Sequence, residues 1–192
     1  MDKIAYIIPG YDESYLKQKG YNQIAKFFIS RGIKPVHINI NWDIKKPADF
    51  EIYNKQFLSK YRKTKNQQIY ILGFSYGAFI SFLTASKTKP FTLILCSLSP
   101  YFTEDYKNLK PAWLKWWKKN FKNEYTFKDL AKNISAKTYL IAGDKEPISV
   151  LIRAKRAKRL IKNSSLIIAK SAKHKISQKE YLLTVGRLIN KL

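Results

Sequence analysis

One cysteine, two histidines, seven glycines and thirteen acidic residues are all that this 192-residue chain holds of those types. Each shortage excludes something. A lone Cys96 cannot build a disulfide framework or a cysteine-based zinc site. With only His37 and His174, a histidine-rich metal centre is excluded as well. No stretch approaches the roughly 18 consecutive apolar residues of a membrane-spanning helix. The first apolar run, Ile4 to Ile8, stops at Pro9-Gly10 and is too short for the core of a secretory signal. The expectation is a cytoplasmic chain.

Acid is scarce but base is not. Lysine and arginine total 37, which gives a net charge of +24. Thirty-one of these are lysine and six arginine, alongside 23 isoleucines and 11 asparagines. Sequence-specific readers of nucleic acid rely on the bidentate fork of arginine. A lysine excess of this kind reads mainly as compositional bias, so no specific nucleic-acid partner is expected. Weak association with anionic surfaces remains the functional alternative, carried by basic blocks at 115–122 and 153–162. At 45% apolar and 15% aromatic, the chain can bury a full core as one domain over 1–192.

Short apolar runs alternate with runs of helical period. Strands are expected at 4–8, 35–40, 68–72, 91–96, 138–142 and 166–169. Helices are expected at 21–30, 50–62, 75–86, 148–161 and 177–189. That rhythm predicts an α/β fold: a six-stranded, mostly parallel sheet with helices on both faces. The exception is 97–137, about forty aromatic and basic residues between strands four and five, which reads as a functional insertion. Within it, residues 111–121 read as an amphipathic helix with Trp113, Trp116, Trp117 and Phe121 on one face and lysines on the other. Those tryptophans either pack on the core, line an apolar pocket or touch a membrane surface.

Gly73-Phe74-Ser75-Tyr76-Gly77 is a G-x-S-x-G pentapeptide entered by a strand and left by a helix. A turn that tight forces the serine into a strained conformation and leaves no room for side chains at the glycines. It lifts the Ser75 hydroxyl above the sheet, at a helix N-terminus.

In this motif and its context the sequence resembles the α/β-hydrolase family, along nearly the whole chain from Ile4 to about Ile189. The resemblance implies a nucleophile, an acid and a histidine in that chain order. Ser75 stands first, and His174 follows strand six. The acid lies in Gly143-Asp144-Lys145-Glu146, where the family's usual spacing favours Glu146 over Asp144 although aspartate is the commoner residue. The resemblance also implies an oxyanion hole from the backbone N–H groups of Tyr76 and Tyr11. The latter sits in Pro9-Gly10-Tyr11-Asp12, where Pro9 and Asp12 depart from the family's His-Gly-x-Gly turn; an inward Asp12 carboxylate would weaken the hole. The insertion 97–137 would be a small helical cap, with Trp113, Trp116 and Trp117 as pocket candidates. The implied activity is hydrolysis of small-molecule carboxylic esters or thioesters, with no metal and no organic cofactor. A non-catalytic binding protein on the same fold, using its basic surface to contact polyanions or an anionic membrane, is the competing expectation.

Overall fold

The computed structural model describes residues 2–11, 19–42 and 49–192. The chain alternates β1 (Asp2–Ile8), α1 (Lys19–Ile29), β2 (Lys34–His37), α2 (Phe50–Lys60), β3 (Gln67–Phe74), α3 (Tyr76–Thr88) and β4 (Thr92–Cys96). After a 3-10 helix (Thr103–Asn108), α4 (Pro111–Asn120) and α5 (Phe127–Ala131), it resumes with β5 (Lys137–Gly143), α6 (Ile148–Leu160), β6 (Ser164–Ala169) and α7 (Lys179–Ile189). The six strands pair in the order β2-β1-β3-β4-β5-β6, and every pair is parallel.

Central strands buried on both faces need apolar side chains at every position, not at alternate ones. That is what β3 and β4 supply. Ile69, Ile71, Leu93 and Leu95 point to the face covered by α2, α3 and α6. Tyr70, Leu72, Ile94 and Cys96 point to the face covered by α1 and α7. The edge strand β2 ends at His37, three residues before the apolar alternation does, yet Ile38 and Ile40 remain buried. His37, half-buried on that edge, is held below the ordinary histidine range by burial. Among the described residues no helix is long and apolar enough to cross a membrane.

The sheet order also fixes where a site can form. The chain leaves β1 for its outer neighbour β2, then returns to the other side of β1 as β3. Helices α1 and α3 therefore depart to opposite faces, which opens a crevice at the C-terminal ends of β1 and β3.

The segment between β4 and β5 is pinned to α6 by charge. Asp105, 1% exposed, takes Arg153 Nη1 at 3.0 Å and Arg156 Nη1 at 3.2 Å. The Arg153 guanidinium also lies 3.8 Å from the Phe127 ring centroid. Arg153, in the basic block 153–162 expected to carry association with anionic surfaces, is instead 1% exposed, because its helical position faces the 3-10 helix and Asp105 pairs with it there. Removing one partner of such a pair strands the other's charge. Asp105→Ala is therefore expected to cost about 3–5 kcal/mol, read by urea denaturation. Replacing Asp105 and Arg153 together by leucine and methionine should cost clearly less.

Candidate active site

The pentapeptide forms the expected turn. Ser75 has φ 55° and ψ −117°, a backbone region that side-chain-bearing residues rarely occupy. Such strain costs about 1–3 kcal/mol and persists only where the surroundings impose it. Here they do. A Cβ at Gly73 would fall 2.3 Å from the Gly77 carbonyl oxygen, and one at Gly77 would fall 2.1 Å from that of Ile8. Only glycine at both positions lets α3 start so close to β1. The Ser75 N–H donates to the Cys96 carbonyl at 2.9 Å, which ties the turn to β4 as well.

His174 comes from the loop between β6 and α7. Its Nε2 lies 3.0 Å from Ser75 Oγ, and its Nδ1 lies 2.7 Å from Glu146 Oε2. The ring packs on Phe74, with centroids 5.0 Å apart. Of the two carboxylates after β5, the structure brings Glu146 to the histidine, while Asp144 is exposed. The Glu146 side chain folds back over its own loop, so that the Gly143 N–H donates to Oε1 at 2.7 Å. The same oxygen accepts from the Ser97 hydroxyl at 2.7 Å. A carboxylate so placed accepts the Nδ1 proton of His174 and leaves Nε2 to accept the proton of Ser75. Sequence reasoning missed Ser97, whose one signal was a polar residue directly at the end of a buried strand.

Tyr11 and Tyr76 flank the serine. Tyr76 opens α3, where a backbone N–H has no acceptor within the helix. Their rings lie 5.5 Å apart in edge-to-face contact. A Cβ at Gly10 would fall 3.2 Å from Ser75 Cβ, so the loop after β1 lies directly against the turn. Asp12 lies outside the described residues. Among the described residues, no three histidine, cysteine, aspartate or glutamate side chains are grouped to hold a metal ion.

A cavity of about 700 Å³ opens above Ser75 and His174. Its walls include Tyr11, Tyr76, Tyr101, Trp113 and Trp116, with Pro147 and Val150 from the start of α6. Burial pushes the Tyr76 and Tyr101 phenols above their ordinary range, so these walls are neutral. The tryptophans of α4 do not share one environment. Trp113 and Trp116 are 39% and 40% exposed and line the cavity. Trp117, expected as a pocket residue, is corrected by the structure. It is 1% exposed and stacks on Tyr101 at 4.0 Å and on Phe121 at 4.3 Å. One residue further round the helix turns it about 100° from Trp116, into the core.

No protein-family model and no curated protein sequence matches the chain. Solved structures do match. Est1E from Butyrivibrio proteoclasticus superposes with a TM-score of 0.77 at 13% identity, over 99% of this chain and 86% of that one. The esterase Pf2001 of Pyrococcus furiosus gives 0.67 at 18% identity, over 99% and 83%. A thioesterase domain from the curacin biosynthetic pathway gives 0.70 at 13% identity, over 98% and 91%. The chain has the α/β-hydrolase fold, with six parallel strands and helices on both faces.

The two tryptophan environments separate by stability. Trp117→Ala should cost about 3–5 kcal/mol, as buried large-to-small changes do. Trp116→Ala should stay within about 1 kcal/mol. Thermal and urea unfolding of the two variants checks this.

Proposed function

We propose that the chain is a serine hydrolase acting on carboxylic esters or thioesters of small molecules. The observation that carries this reading is the unbroken line from Ser75 Oγ through both His174 nitrogens to a buried carboxylate, opening on an apolar cavity. Esterases and a thioesterase domain among the structures of similar fold support it.

In this reading Ser75 Oγ attacks the substrate carbonyl carbon while His174 Nε2 takes the hydroxyl proton. The carbonyl oxygen becomes an oxyanion, held by the Tyr76 and Tyr11 N–H groups. Each such donor is worth about 3 kcal/mol in the transition state. Collapse breaks the bond to the alcohol or thiol, which leaves with the proton from Nε2. Water then enters, gives a proton to Nε2, and its oxygen attacks the acyl carbon. The acid departs as Ser75 recovers its proton. Glu146 keeps the Nδ1 proton in place throughout and stabilises the imidazolium. The stretch 97–137 acts as a cap in which Trp113 and Trp116 form the outer wall of the acyl pocket.

A fluorophosphonate probe tests the nucleophile. Wild type should be labelled and Ser75→Ala should not; equal labelling of both would remove Ser75 from the role. Glu146→Gln should lower kcat by about 10²-fold or more, since the amide no longer holds the imidazolium, while Asp144→Asn should be mild.

The cavity predicts the acyl group. Each methylene buried on apolar walls adds about 0.8 kcal/mol. Turnover of p-nitrophenyl esters should therefore rise from acetate to acyl chains of about four to eight carbons. Trp116→Ala should flatten that dependence with little loss of melting temperature. A wild-type profile that peaks at acetate would refute the pocket assignment.

A further inference from the structure

Among the described residues Glu146 is the one carboxylate that reaches the site, and no lysine or arginine lies within hydrogen-bond distance of it. Its second oxygen is held by neutral donors. One is the Gly143 N–H; the other is the Ser97 hydroxyl at 2.7 Å. Ser97 Oγ lies in turn 2.6 Å from the Tyr181 hydroxyl, which lies 3.1 Å from the Ile141 carbonyl oxygen. Ser97 and Tyr181 are both fully buried.

Proton counting orders this chain. Ser97 has one hydroxyl proton, and the carboxylate is its strongest acceptor within reach. Ser97 then has no proton left to give, so the short contact to Tyr181 is made by the tyrosine proton, which is shared with the Ile141 carbonyl oxygen, its second acceptor at 3.1 Å. The direction runs from Tyr181 to Ser97 to Glu146, and each bond polarises the next. Burial pushes the Tyr181 phenol well above its ordinary range, so it stays a donor. Backbone strain points the same way. Ser97 has φ 51°, a left-handed conformation in a residue that is neither glycine nor asparagine. Its N–H is fixed to the Ile141 carbonyl at 2.7 Å, which holds the hydroxyl over the end of β5.

We propose that Ser97 and Tyr181 are positioning residues for the acid of the site: together they fix the carboxylate of Glu146 so that Oε2 faces His174, and they draw part of its charge away from the imidazole. This rests on the reading of Ser75, His174 and Glu146 as a catalytic line. A glutamate in this role has one more rotatable bond than an aspartate, and the hydroxyl pair takes up that freedom. The pair spans β4, β5 and α7, so it also locks the loop carrying His174 to the strand ends. The titratable groups facing the pair are Glu146, His174, Tyr21 and buried Cys96, whose thiol burial and Glu146 push up. Lys173 and Lys175 flank His174 in sequence and are exposed.

Removing a donor concentrates charge on the carboxylate oxygen facing His174, so the imidazole holds its proton to higher pH. The test is the His174 ring titration by proton–nitrogen NMR, which needs no substrate. The chain has only two histidines, so His37→Gln assigns the signals. Ser97→Ala should raise the midpoint by about half to one pH unit, with Tyr181→Phe smaller in the same direction. With a p-nitrophenyl ester, kcat should fall about three- to tenfold and KM should stay within about twofold. Ser97→Gly relieves the left-handed strain while deleting the hydroxyl; it should match Ser97→Ala in both readouts and be at least as stable. A midpoint that is unchanged or lowered in folded Ser97→Gly and Tyr181→Phe overturns the proposal, whatever becomes of Ser97→Ala. Wild type that shows no fluorophosphonate labelling defeats the hydrolase reading instead, and the titration still decides whether the hydroxyl pair governs His174.

Discussion

The site depends on how closely α3 can approach the end of β1. At Gly77 the helix backbone sits where any Cβ would meet the Ile8 carbonyl oxygen. Because Ile8 pairs with Gly73 in the parallel register, the same contact compresses the turn between β3 and α3 from both sides. Ser75 then has nowhere to go but the strained conformation that raises its hydroxyl above the sheet. The other parts of the site follow from that height. His174 reaches Ser75 from the loop after β6, Tyr76 opens α3 beside the serine, and the loop after β1 is brought alongside through Gly10.

Two buried carboxylates of this basic chain show opposite solutions to burial. Asp105 is paired with two arginines, which offset only part of the desolvation that pushes its carboxyl up. Its task is to fasten the insertion to α6. Glu146 is satisfied by an amide N–H and a hydroxyl, with His174 on the remaining oxygen. In the proposed mechanism, a lysine or arginine beside Glu146 would compete with the imidazolium for the carboxylate. With a net charge of +24, keeping cations away from this carboxylate is a constraint that the fold meets by burying it.

Much of this was legible from the sequence, for identifiable reasons. Strands such as 68–72 were readable because full burial demands unbroken apolar runs, and the turn at Ser75 because two glycines frame it. The spacing usual in the resembled family favours Glu146 over Asp144, and the geometry puts Glu146 against His174. What could not be read was tertiary in origin. Arg153 belongs by sequence to a lysine-rich helix face; only the placement of Asp105, 48 residues upstream, makes it a buried residue. Tyr181 looks like one more aromatic on the apolar side of α7. Its hydroxyl acquires a partner 84 residues away only once β4 and α7 meet. Trp116 and Trp117 are adjacent, and nothing local says which of them faces the core.

The split between those two tryptophans bears on how the cavity works. Tyr101 lines the cavity and also stacks flat on Trp117, so wall and core share a side chain. Trp117 in turn packs against Phe50 and Phe79 of the domain proper. At the other end of α4's segment, Asp105 is clamped by Arg153 and Arg156. For the proposed cap to swing open, it would have to unstack Trp117 and strand a buried arginine, which together cost more than substrate binding commonly returns. The wall formed by Trp113 and Trp116 is therefore held in place before any ligand arrives. Under the proposed function, discrimination would come from the shape and apolarity of fixed walls rather than from closure around a substrate.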